Sequence, residues 1–187
     1  KDGLEALEKL RTKKYDGVVL DINMPRMDGL ELLQQLQKEK IKANIVMAST
    51  LTVEGANEAI KSLELGAIDF VTKPSNIIEA KGDAFKKALL DVLYAATKAR
   101  VHFKKPSMVV AADKTAAASV NRLKKPGQNK IIAIASSTGG PKALQSVIPK
   151  IPADIDAPVV LVQHMPAGFT RSMAARLNEL SKVQVKE

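Results

Sequence analysis

The sequence predicts an α/β protein made of two doubly wound parallel-sheet units, and three observations carry that reading. Short apolar runs of four to six residues alternate with stretches of helical spacing. The runs end in polar residues followed by turn-forming glycine or proline. A strongly basic stretch also divides the chain into two halves of nearly balanced charge.

The opening stretch places Leu4, Leu7 and Leu10 on one helical face and ends near Gly17, with no cap or lead-in expected ahead of it. Val18–Asp21 reads as a buried strand ending in a carboxylate. Pro25 and Asp28-Gly29 mark a turn, with Asp28 suited to open a helix that carries Leu30, Leu33 and Leu36. Ile45–Ala48 is the next strand, ending at Ser49-Thr50. Val53–Leu65 is a helix closed by Gly66, Ala67–Thr72 a strand ending at Lys73-Pro74, and one helix is expected from there to about Ala99. Three strands of one parallel sheet therefore end in Asp21, Ser49 and Lys73 on a common edge, where such sheets bind ligands. A carboxylate, a hydroxyl and an ammonium are the groups needed to accept a phosphoryl group and meet its oxygens.

Between Ala96 and Lys130 nine Lys or Arg face one acid, Asp113, so this segment holds nearly all of the formal net charge of +9. Phe103 is its one aromatic residue, a composition that argues against a stacking platform for single-stranded nucleic acid. It reads as a solvated linker with His102 on its surface. The predicted boundaries are residues 1–99 for the first unit, 100–129 for the linker and 130–187 for the second unit.

In the second unit Ile131–Ala135 is an apolar run that leads through Ser136, Ser137, Thr138, Gly139 and Gly140 into a helix with Pro141 in its first turn. Strand, tight turn and helix start make a place for a nucleophilic hydroxyl facing unsatisfied helix amides. Ser137 is the better-placed hydroxyl and Ser136 the fallback. Gly-rich turns of this kind also bind phosphate, or simply turn. Pro158–Gln163 is a further buried strand with His164 at its carboxyl end, on the same edge as Ser137. A serine with a histidine base is the minimal activated nucleophile, whereas the structural alternative leaves His164 as an ordinary strand-end residue. Phe169, Met173, Leu177 and Leu180 form one apolar helix stripe, so Met165 and Met173 are assigned to packing, and Arg171-Ser172 receives no role. No cysteine is present, which excludes disulfides and thiolate metal sites, and no apolar run reaches membrane-spanning length.

LDINMPRMDG, MAST and AIDFVTKP resemble a two-component receiver domain, flavodoxin-like in fold. The resemblance implies that Asp21 is the phosphoryl acceptor, that Ser49 and Lys73 contact the phosphoryl group, and that Phe70 is the aromatic switch. It also implies that Asp21 and the backbone carbonyl of Asn23 help to hold Mg2+. SSTGGPKAL and QHMPAGFTRSMAARLN resemble the catalytic domain of the chemotaxis protein-glutamate methylesterase family, Rossmann-like in fold, and SLELGAIDFVTKP is similar to that subfamily of receivers. This implies Ser137 as nucleophile, His164 as its base, and Thr138, Gly139 and Gly140 as the oxyanion or substrate loop. The implied function is hydrolysis of glutamyl methyl esters, with deamidation of particular glutamines, on chemotaxis receptors. A histidine kinase would donate the phosphoryl group, in the cytoplasm, without nucleic acid or membrane insertion, and the receiver would cover the esterase site until it is phosphorylated.

Departures from the pattern set further expectations. The receiver's first strand and acidic magnesium-binding pair do not precede Lys1, and the triad aspartate is expected beyond Glu187, with 183–187 in or beside another strand. The chain reads as a fragment cut at both ends, its hydrolysis slowed on the order of ten-thousand-fold. The alternative is a non-enzymatic signalling module. A DNA-binding output is disfavoured because strand and helix alternate after the linker.

Overall fold

The computed structural model describes residues 2–99 and 130–187. Residues 100–129, which the sequence predicts to be a linker, lie outside the described residues, as do His102 and Phe103 within them.

Helix α1 is Gly3–Thr12, shorter than expected, and it is capped after all: the side chain of Asp2 accepts the Glu5 amide at 3.1 Å. A carboxylate two residues before the first leucine was the missed signal. Strand β1 (Val18–Asp21) leads to α2 (Gly29–Glu39), which opens with a reciprocal cap in which Asp28 accepts the Glu31 amide and Glu31 accepts the Asp28 amide. Then come β2 (Ile45–Ser49), α3 (Val53–Glu64) and β3 (Asp69–Thr72). Gly66 turns the chain out of α3 at φ 109°, a conformation that suits a residue without a Cβ. The single helix expected up to Ala99 is two: α4 (Ile77–Lys81) and α5 (Asp83–Lys98), separated at Gly82, whose extended backbone (ψ 145°) breaks the helical path.

β1, β2 and β3 form a parallel sheet in that order. Its side chains alternate between faces as a two-residue period requires. Ile45, Met47 and Phe70 join the core beneath α1, α2 and α3, whereas Val46 and Val71 meet Ala96 of α5 on the other side.

The second unit contains β4 (Ile132–Ser136), α6 (Gly140–Val147), a 3-10 turn (Ile148–Lys150), β5 (Val159–Gln163) and α7 (Phe169–Leu180). β4 and β5 pair in parallel. Neither strand is buried throughout, contrary to the expectation of buried strands: Ile134 and Leu161 pack inward, but Val160 and Val162 are 50% and 64% exposed. Residues 183–187 are not in a strand; the Val185 amide donates to Asn178 Oδ1 at 2.9 Å. Phe169, Met173 and Leu177 are buried as the stripe predicted, while Leu180 lies at its exposed end.

The two units share one apolar core. Leu144 of α6 and Ile148 of the 3-10 turn, with Phe169, Met173 and Leu177 of α7, belong to the same buried cluster as Leu36, Leu63 and Phe70. Side chains of this size contribute about 1.5–3 kcal/mol each when fully buried, so the junction is substantial. Polar contacts register it. Lys142 Nζ donates to the Gly66 and Ala67 carbonyls (3.1 and 2.8 Å), Gln145 Nε2 to the Ile60 carbonyl (3.1 Å), and Arg176 grips Glu64 with two nitrogens (2.5 and 2.8 Å).

Candidate active site and phosphoryl-acceptor site

The ladder between β4 and β5 ends at the pair Ser136–Gln163, so the next residues, Ser137 and His164, leave the sheet side by side. Ser137 Oγ lies 3.4 Å from His164 Nδ1, and both residues are exposed. After Ser137 the chain turns through Thr138 and Gly139 into α6, and the Gly140 amide closes the turn on the Ser137 carbonyl at 2.8 Å. Gly139 has φ 74°, a backbone that disfavours any residue with a Cβ. Gly140 is required for space instead: a Cβ there would stand 2.7 Å from Ser136 Cβ and 2.8 Å from Ser136 Oγ.

Ser136, the fallback nucleophile, is engaged elsewhere. Its hydroxyl donates to Gln163 Oε1 at 2.5 Å. Gln163 Nε2 in turn donates to the carbonyls of Ser137 (3.0 Å) and His164 (2.9 Å).

The first unit reaches this turn directly. Asp69 of β3 accepts the Gly139 amide on Oδ2 at 2.6 Å and the Phe70 amide on Oδ1 at 2.9 Å. Burial raises the Asp69 carboxyl above its ordinary range, and the two amides and Lys142 pull it only partly back. Phe70 stacks on Phe169, ring centres 5.1 Å apart and planes 17° from parallel. The first unit therefore touches the turn without burying Ser137 or His164, a correction to the expectation that it covers them.

At the carboxyl edge of the first sheet, Lys73 Nζ is 2.6 Å from Asp21 Oδ1, which also accepts the Asn23 amide at 3.2 Å. Ser49 is buried and its hydroxyl donates to the Gly55 carbonyl at 2.7 Å, so it faces α3, not Asp21. Asp21 and Lys73 are brought together as the sequence predicted, and the Ser49 hydroxyl is not. Among the described residues no cluster of three or more His, Asp or Glu could hold a metal ion. Mg2+ takes an octahedron of oxygens. Asp21 and the Asn23 carbonyl do not by themselves fit it.

Sequence reasoning missed Gln163 and Asp69. Both lay within quoted motifs, one beside His164 and the other a carboxylate inside an apolar strand beside Phe70.

Residues 1–81 match the family of the response regulator receiver domain, and residues 132–187 match the CheB methylesterase family. A protein-glutamate methylesterase/protein-glutamine glutaminase of Archaeoglobus fulgidus is 43% identical over 189 residues, covering 100% of this chain and 52% of the relative. The Bacillus subtilis protein of the same name is 42% identical over 191 residues, covering 100% of this chain and 53% of its own length. The chain thus spans about half the length of the curated relatives it matches. The crystal structure of the Thermotoga maritima CheB methylesterase catalytic domain is 52% identical over 33% of this chain and 32% of that one, with a TM-score of 0.32.

Proposed function

Because the chain belongs to the response-regulator methylesterase family, a receiver segment followed by a methylesterase segment, we propose that it demethylates glutamyl methyl esters on chemotaxis receptors and deamidates particular glutamines by the same route. The observation that carries this reading is the 3.4 Å approach of Ser137 Oγ to His164 Nδ1 on adjoining strand ends.

Ser137 Oγ attacks the ester carbonyl while His164 takes its proton. The tetrahedral oxyanion is met by the main-chain amide of Thr138 and, once Asp69 releases it, that of Gly139, helped by the positive end of α6. Collapse expels methanol, which leaves with the proton held by His164. Water then attacks the acyl-serine as His164 accepts its proton, and the glutamate carboxylate departs as Ser137 regains a proton. Glutamine follows the same path with ammonia as the leaving group.

Regulation runs through β3. Asp69 occupies the Gly139 amide, one of the donors the oxyanion needs, and Phe70 ties the strand to Phe169. Lys73, four residues beyond Asp69, holds Asp21. Phosphorylation of Asp21 by a histidine kinase redirects Lys73 to the phosphoryl oxygens, draws Ser49 from Gly55, and biases β3 away from the turn. The domain boundaries at 99/100 and 129/130 and a cytoplasmic location belong to the same reading.

Methanol release from methyl-labelled receptor measures the activity: slow release, on the order of ten-thousand-fold below that of a complete triad, is expected from the parent chain, and none from Ser137→Ala. Retained receptor affinity with no serine-dependent methanol from the parent would favour the non-enzymatic signalling alternative.

A further inference from the structure

We propose that Gln163 is a positioning residue that sets the spacing between Ser137 and His164; this rests on the reading of Ser137 as the nucleophile. Beyond the last ladder pair the backbones of β4 and β5 have no further rung to hold them in register. The His164 amide donates to the Ser136 carbonyl at 3.0 Å, and there the regular pairing ends. The next two carbonyls, those of Ser137 and His164, are joined by one side chain: Gln163 Nε2 donates to each, at 3.0 and 2.9 Å.

The orientation of that amide is fixed by chemistry. Two carbonyl oxygens can only accept, so the nitrogen must face them, and the oxygen then faces the Ser136 hydroxyl, which donates at 2.5 Å. Both N–H groups of Gln163 are used, each on the peptide of a residue whose side chain makes the 3.4 Å contact. The same arrangement explains two motif residues. Ser136 locks the amide, and Gly140 is bare because a Cβ there would strike Gln163 Oε1 and Ser136. Glutamate at 163 would lose the two donors and set an anion against two carbonyls. Methionine would keep the length and lose every hydrogen bond.

The 187-residue chain is treated with a serine-directed fluorophosphonate over a range of probe and pH. Mass spectrometry locates the adduct, and Ser137→Ala serves as the blank. Gln163→Met and Gln163→Glu are expected to lower the saturating labelling rate about ten- to a hundredfold, the scale of a small misplacement of reacting groups. Half-saturating probe concentration and final labelled fraction should match the parent. Acidification should raise the rate of Gln163→Glu relative to Gln163→Met, because a protonated carboxyl regains one donor. Ser136→Ala should fall between parent and Gln163→Met. A saturating rate in Gln163→Met equal to the parent's overturns the proposal. So does a reduced labelled fraction at an unchanged rate, which marks a purely structural role. Absence of Ser137 labelling in the parent sinks the nucleophile reading and this inference with it, and is told apart by the parent alone.

Discussion

The Asp69 carboxylate accepts the main-chain N–H of Gly139 at 2.6 Å, although the two residues are 70 positions apart and lie in different units of the chain. The contact joins the strand that leads to Lys73 with the turn that carries Ser137. It puts the first unit in direct contact with the turn that carries Ser137.

Asp69→Ala should release that amide. A hydrogen bond to a charged acceptor is worth about 1.5–3 kcal/mol net, so hydrogen exchange at Gly139 should quicken about tenfold or more. Asp69→Asn keeps an acceptor in the same place and should retain most of the protection. Equal exchange in the parent and Asp69→Ala would remove the contact from the account.

The pH dependence follows from burial of the same group. The folded carboxyl sits above its unfolded value, chiefly because burial disfavours the charge. The folded protein therefore holds this proton more tightly. Its stabilising contribution is full below the ordinary aspartate value and is lost as pH rises through the raised folded value. Above that, the ionised group carries its burial cost. Chemical denaturation of parent and Asp69→Asn across about pH 3.5–7 should show the parent losing stability relative to the variant as pH rises. Taking the difference removes opposing groups such as Glu39, which Arg11 holds down to about 2. Parallel curves would contradict the assignment.

Phe169→Ala deletes a side chain that is 1% exposed and stacked on Phe70. Loss of a buried phenylalanine costs about 3–5 kcal/mol, which urea denaturation reads directly. Because Phe169 belongs to the core shared by both units, amides of the β1–β3 sheet and of the β4–β5 pair, followed by hydrogen exchange across the urea series, should lose protection in one transition. Independent transitions would argue against the common core.

Much of this architecture was legible because strand and helix periods are local. Val18–Asp21 and the helix ending before Gly66 were found within a residue, and the edge positions of Asp21, Lys73, Ser137 and His164 followed from parallel topology. What was not legible depends on partners distant in sequence. The Ser49 hydroxyl turns to Gly55, and Asp69 finds its amide in the other unit, because a strand's sequence does not state what lies across its end. Apolar β5 was read as a buried strand, yet composition cannot say which faces are covered, and Val162 is 64% exposed. Gln163 was missed because its role comes from carbonyls, which have no sequence signature.

The most direct measurement is to find where the acyl group goes. The chain is incubated with a small glutamyl methyl ester and quenched, and the peptides are mapped for an ester-linked glutamyl group. The account predicts the adduct on Ser137 and no methanol from Ser137→Ala. An adduct on Ser136, or methanol release that persists in Ser137→Ala, would contradict it.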